Sequence, residues 1–97
     1  MSKKIEWTAA AIKDRFKIYK FWLEHNKSDT YSEKLEALFK EAANIIAEFP
    51  EIGIQTDYPN LRLKVISNYQ LFYIHSVKTI QILRVWDTRQ NPKKLKL

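Results

Sequence analysis

The spacing of apolar residues changes period once along this chain, dividing it into a helical first half and a strand-rich second half. Lys3 to Trp7 reads as a short strand, after which Thr8 is placed to cap a helix. Ala9, Ile12, Phe16, Tyr19 and Leu23 then recur at alternating steps of three and four, with Ile18, Phe21 and Trp22 widening the stripe. That face is expected to meet the core. The helix should end near His25 and Asn26, and Asn26 to Asp29 should turn the chain. Thr30-Tyr31-Ser32-Glu33 has the form of a capping box opening a second helix, in which Leu35, Leu38, Ala42, Ile45 and Phe49 repeat the three-four spacing until Pro50 stops it. Two helices joined by so short a turn should pack as an antiparallel hairpin.

Beyond Pro50 the period becomes two. Leu61-Arg62-Leu63-Lys64-Val65 alternates strictly, so Leu61, Leu63 and Val65 are expected on a core and Arg62 and Lys64 outward. Ser67-Asn68 is a two-residue turn candidate. Tyr69 to His75 and Thr79 to Asp87 follow as further strands, which makes an antiparallel meander. The last strand changes parity, since Ile80 and Ile82 share one face and Leu83 and Val85 the other, so a bulge or burial on both faces is expected. The fold class is α+β: an N-terminal strand and an α-helical hairpin packed on one face of a small antiparallel β-sheet, in the order β-α-α-β-β-β. Residues 1–91 form the expected single domain. A basic tail, 92–97, follows, and the chain from Arg89 onward is expected to be mobile.

A length of 97 residues admits one hydrophobic core, and 45% hydrophobic against 29% charged residues is a globular balance. The absence of cysteine excludes disulfides and thiolate metal sites and fits a reducing cytoplasm. No apolar leader follows Met1-Ser2-Lys3-Lys4 and no long uncharged apolar run occurs, so neither export nor membrane insertion is expected. Net charge is +6, and its distribution is uneven: residues 1–57 carry nine Lys and Arg against ten Asp and Glu, whereas residues 58–97 carry eight against Asp87 alone. Such a basic half attracts phosphates or an acidic protein, and equally serves as a solvated face.

Several chemistries lack their residues. Gly53 is the sole glycine, so no glycine-rich phosphate loop can form, and no cysteine nucleophile exists. His25 and His75 lie on different elements without further ligands at metal spacing, so no metal and no cofactor is expected. Cations on strands remain. Arg62 and Lys64 project to one face two residues apart, which suits a phosphate cradle, with Arg84 and Arg89 on and beyond the last strand. Tyr69, Phe72, Tyr73 and Trp86 are of the type that stacks bases, although aromatics in half-buried strands more often belong to the core.

Several stretches of the chain together resemble a known family. Ile5-Glu6-Trp7-Thr8, the second helix ending in Glu48-Phe49-Pro50, and Gly53 resemble the first half of RelE/ParE toxins. Arg62-Leu63-Lys64-Val65, Asn68-Tyr69-Gln70-Leu71-Phe72-Tyr73 and Ile80 through Pro92 resemble the second half. The resemblance implies a toxin of a type II toxin–antitoxin pair, neutralised by a cognate protein antitoxin. RelE-like members cleave mRNA on the ribosome and ParE-like members poison DNA gyrase; a non-catalytic nucleic-acid-binding module is a further alternative. For cleavage, the expected reading, catalytic roles fall to Lys64, Arg62, Arg84 and Asp87, and phosphate or RNA binding to Arg62, Lys64, Arg84, Arg89 and Tyr73. Lys64 would be the base, its pKa lowered by neighbouring Arg62 and Arg84. Three features depart from the RelE-like pattern: Gln70 stands where an arginine usually follows the tyrosine, Asp87 stands where many members carry histidine, and the tail offers no catalytic His or Tyr. Pairing with Arg84 or Arg89 is the competing role for Asp87.

Overall fold

The computed structural model describes residues 2–90, 94, 95 and 97. These residues form β1 (Lys4–Trp7), α1 (Ala9–Asn26), α2 (Thr30–Glu48), β2 (Ile54–Gln55), β3 (Arg62–Ile66), β4 (Tyr69–His75) and β5 (Thr79–Asp87). One sheet of five strands runs in the order β1-β5-β4-β3-β2. The α+β class and the helical hairpin are as expected, and the meander β3-β4-β5 is antiparallel throughout. Two details differ. β1 pairs with β5 in parallel, which makes the sheet mixed, and the two-residue β2 adds an edge beside β3. A parallel neighbour needs a long crossover, and the helical hairpin with the meander supplies one. Ile54–Gln55 is too short to show any alternation.

Thr8 joins the first strand to the first helix through both of its polar groups. Its Oγ1 accepts from the Ala11 N–H at 3.1 Å, capping α1, and donates to the Leu83 carbonyl at 2.9 Å. Lys27, left-handed at φ 53°, closes α1 at the other end. The capping box expected at Thr30 does not form. Asp29 is the N-cap and has no side-chain cap bond, while the Glu33 carboxylate accepts from the Tyr19 hydroxyl at 2.7 Å. The helix starts one residue earlier than the box requires, and Glu33 is drawn across to α1.

The face that α1 turns inward also differs from the expected one. Ala11 is buried and Ile18 and Trp22 pack on the core, whereas Ile12 and Phe16 stand 54% and 70% exposed. Both sets have three-four spacing, so periodicity alone does not choose between them. Arg15 disguises the inner set: its guanidinium lies 4.3 Å from the centroid of the Trp7 ring and pairs with Glu36, so a cation occupies a place on the core's margin. On α2 the inner positions are Leu35, Phe39, Ala42, Ala43, Ile46 and Ala47, and Phe49 is exposed.

The main core lies between the hairpin and the sheet, where Ile66, Tyr69, Leu71, Tyr73, Ile80, Ile82 and Val85 meet the helices. Directly opposed residues of an antiparallel ladder share a face. Arg62 opposes Tyr73 and Lys64 opposes Leu71, so both cations sit on the helix-facing side of β3, and Leu61 and Leu63 point to the other side. There they join Phe72 and Trp86 in a second, smaller cluster, while Val65 is exposed. The parity change in β5 is a bulge: Phe72 opposes Arg84 and Tyr73 opposes Ile82, leaving Leu83 extra. Ile82 and Val85 thereby share the main core although three residues apart. The mobile tail expected from Arg89 falls in part on 91–93 and 96, which lie outside the described residues. Arg89 itself is paired with Asp87, and Leu95 packs against the second cluster.

Gly53 ties the end of the hairpin to the sheet. The buried Tyr73 hydroxyl donates to the Pro50 carbonyl at 2.7 Å and accepts from the Gly53 N–H at 2.9 Å. Burial pushes the pKa of this hydroxyl up. A Cβ at position 53 would stand 2.5 Å from the Tyr73 hydroxyl oxygen and 2.8 Å from the Leu63 carbonyl oxygen, closer than real contacts allow. Gly53→Ala is therefore expected to lower stability by about 1–3 kcal/mol through overpacking. A urea midpoint unchanged from wild type would show that this junction yields freely.

Candidate functional site

Each cation singled out in the sequence is placed by a different neighbour. Arg62, on β3, donates from Nη1 to the Glu51 carbonyl at 3.1 Å and the Gly53 carbonyl at 2.8 Å. These neutral acceptors orient the guanidinium without cancelling its charge. Lys64 is half-buried two residues on, and among the described residues no hydrogen bond or ion pair holds its ammonium. The structure thus brings Arg62 and Lys64 to one face, at the β2 side of the sheet.

Arg84 turns the other way. At the bulge its Nε and Nη2 donate to Asp14 of α1 at 2.7 and 2.9 Å, and the same carboxylate accepts from the Val85 N–H at 3.0 Å. The reason lies in the ladder. β1 ends at Trp7, opposite Ile82, so β5 beyond that point has no strand on this edge, and Asp14 satisfies the backbone donor that a strand would have met. The hydrogen bond to Asp14 raises the Arg84 pKa. Arg84 is thus directed at α1, while Arg62 is directed at the Glu51 and Gly53 carbonyls, so the expected convergence of Arg84 with Arg62 and Lys64 is not made.

Asp87 and Arg89 hold each other at the end of β5. The Arg89 guanidinium donates to both carboxylate oxygens at 3.0 and 2.9 Å, and the Arg89 N–H adds a bond at 2.9 Å. These contacts hold the Asp87 carboxyl below the usual carboxylate range, so it stays ionised. The guanidinium also lies 5.6 Å from the centroid of the Trp22 ring. Tyr73 is wholly buried, so the ring expected to meet RNA is a core residue. Tyr69, Phe72 and Trp86 are buried as well, which removes the expected stacking platform.

A surface that sequence reasoning assigned to the core is instead open. Ile12 and Phe16, together with Arg15, Tyr19, Glu33, Glu36 and Lys40, line a groove between α1 and α2, and Phe21 is exposed further along α1. Lys13, Lys17 and Lys20 stand exposed along the same helix. The available signal was excess: α1 carries more large apolar residues than one stripe holds, and a hairpin lying on a sheet covers one. No group of three or more His, Asp or Glu side chains among the described residues is placed to hold a metal ion. No described helix is long and apolar enough to cross a membrane.

Residues 5–92 match the family model of the ParE toxin of the type II toxin–antitoxin system, parDE. Comparison with curated protein sequences finds no match. Among solved structures, the chromosomal ParDE system from P. aeruginosa is similar at a TM-score of 0.77 and 18% identity, over 91% of this chain and 98% of that one. The RelBE2 toxin–antitoxin complex from Mycobacterium tuberculosis is similar at 0.66 and 18% identity, over 90% and 99%. The E. coli DinJ-YafQ complex follows at 0.50 and 18% identity, over 90% and 93%. At these identities the likeness is one of fold.

Asp14 is the residue here whose loss should be felt most. Asp14→Ala leaves the Arg84 guanidinium and the Val85 N–H without their shared acceptor, and is expected to lower stability by about 1–3 kcal/mol, as for a part-buried charged hydrogen bond. Urea denaturation of the variant beside Asp14→Asn, which keeps a carbonyl acceptor, measures this. Equal losses for the two would show that the acceptor is unimportant.

Proposed function

Because the chain belongs to the ParE toxin family of type II toxin–antitoxin systems, we propose that it arrests growth by binding DNA gyrase in the cytoplasm rather than by cutting RNA. The observation that carries this reading is the engagement of the candidate catalytic groups. Asp14 neutralises Arg84, Arg89 keeps Asp87 ionised and paired, and Tyr73 lies in the core. Cleavage of RNA by attack of a 2′-oxygen needs a base, an acid and charge stabilisation converging on one phosphate. Arg62 and Lys64 supply two cations on one face, which suffices for contact with an acidic surface and not for that chemistry. A toxin acting through surface complementarity needs no more. Function is read here from the site, since the fold is shared by both classes of toxin.

Expression without antitoxin is expected to accumulate gyrase–DNA cleavage complexes while mRNA stays intact. Codon-phased mRNA breaks that disappear in Lys64→Ala would overturn this reading and restore ribosome-dependent cleavage.

The structurally similar RelBE2 and DinJ-YafQ are toxin–antitoxin complexes. For this chain the proposed antitoxin surface is the outer stripe of α1. Ile12 and Phe16 offer apolar area, and Lys13, Lys17 and Lys20 beside them favour an acidic, amphipathic partner segment. Phe16→Glu removes the most exposed apolar anchor of α1 and adds a repelling charge. It is expected to weaken antitoxin binding by about 2 kcal/mol or more, as loss of a hot spot does, and to leave the thermal midpoint nearly unchanged. Titration calorimetry with the cognate antitoxin showing wild-type affinity would move the interface elsewhere.

A further inference from the structure

The connection between α2 and β2 is held along its whole length. The Phe49 N–H donates to the Ile45 carbonyl and the Ile52 N–H to the Phe49 carbonyl, each at 2.9 Å. The Tyr73 hydroxyl holds the Pro50 carbonyl and the Gly53 N–H, and Arg62 holds the Glu51 and Gly53 carbonyls. Each residue from Phe49 to Gly53 thus has a backbone group bonded, and Ile54 and Gln55 pair with β3. A core tyrosine and a strand arginine together fix a surface connection.

What this fixed backbone displays is apolar. Phe49, Ile52 and Ile54 stand 61%, 46% and 61% exposed. Ile54 opposes Leu63, so Val65, two residues further along β3, lies on the same side of the sheet, and it is 50% exposed. Phe49, Pro50 and Ile52 also wall a hollow of about 410 Å³. A scattered apolar residue on a surface needs no explanation, but several gathered at one sheet edge mark an interaction site. Ordering a loop is part of what association must overcome, and here the order exists before any partner arrives.

The charge at this edge limits the partner. Glu48, Glu51 and Lys3 border the hollow, which is therefore mixed in sign. Arg62 lies against the connection and keeps its charge because its acceptors there are carbonyls, and Lys64 shares its side of β3. These two cations tip the edge to positive and favour carboxylates on whatever meets Ile54. A second copy of the chain would bring the same cations and is disfavoured. We infer that the β2 edge, with Ile52 and Ile54 between the Phe49 hollow and the Arg62–Lys64 pair, is the surface by which the toxin grips its protein target, and that it meets an apolar patch bordered by carboxylates. This deepens the reading of a toxin that acts by contact, and rests on it. The antitoxin stripe proposed above lies on a different element, α1.

The test expresses the full chain without antitoxin and measures growth arrest, with the affinity of each purified variant for DNA gyrase read by interferometry. Ile54→Asp is expected to keep its far-ultraviolet circular dichroism, to lose growth arrest and to bind gyrase about thirtyfold more weakly, as loss of a central anchor does. Phe49→Ser should weaken binding about tenfold. Val77→Asp, at the β4–β5 turn where Val77 is 89% exposed, should match wild type in both readouts. If Ile54→Asp does not fold, Ile54→Thr keeps the branched shape and should weaken binding about tenfold. A folded Ile54 variant that arrests growth as wild type does, or an equal loss in Val77→Asp, would overturn the proposal. Wild-type protein that does not bind gyrase removes the gyrase reading alone, since loss of arrest in a folded Ile54 variant would still place the target contact at this edge.

Discussion

The carboxylate of Asp14 accepts from a guanidinium and from a backbone N–H on the same strand, and much of the remaining structure follows from that. β5 is longer than β1, so its edge beyond Ile82 lacks a ladder partner, and a donor left there without an acceptor would be costly. Asp14 meets it from the first turns of α1 and so sets the rotation of that helix. With Asp14 directed at β5, Ala11, Ile18 and Trp22 fall over the core, and Ile12 and Phe16 face away. The same contact engages Arg84. One interaction thus decides which apolar stripe is covered and which basic residue is withheld from the surface.

The order of elements was legible because period, turn residues and helix stops agree from residue 3 to residue 87. The parity change in the last strand likewise announced its bulge. What was not legible depended on partners distant in sequence. Nothing in Ala9 to Leu23 says that Asp14 will meet residues 84 and 85, and without that fact the stripe richer in large side chains is the natural choice for the core. The strict alternation at Leu61 to Val65 was read with the right parity, but not with the knowledge that the sheet has apolar clusters on both faces, so the side carrying Arg62 and Lys64 was taken for the outer one. β2 shows no pattern because two residues contain none. Among the candidate site residues, the pairing of Asp87 was foreseen as one of two choices, and the structure selects Arg89. Tyr73 stood among the contact residues although aromatics of half-buried strands more often belong to the core, and its hydroxyl, bonded to Pro50 and Gly53, holds it there.

The basic surplus of the second half is divided by these contacts rather than gathered. Arg84 and Arg89 are neutralised within the fold, by residues at positions 14 and 87. Arg62 keeps its charge because its partners are carbonyls, and Lys64 keeps its own. What reaches solvent is a field from a few separated cations, suited to long-range attraction and screened within about a Debye length, roughly 8–10 Å at physiological salt. A field of that kind steers a partner without reacting with it, and this physical distinction separates a binding toxin from a nuclease more clearly than the fold does.

Among the described residues, two of the apolar surfaces outside the main core are treated differently. The back of the sheet is answered in part by the chain itself, through Leu95. The outer stripe of α1 has Phe16 at 70% exposure with lysines beside it. An apolar surface that a small domain leaves uncovered is an aggregation hazard unless charge holds copies apart or a partner covers it. A net charge of +6 provides the first remedy in the free protein. An acidic antitoxin would provide the second, and would cancel that charge as it binds. On this argument the surplus of basic residues serves solubility before it serves any target, and the same charges that keep the free toxin in solution favour the approach of its inhibitor.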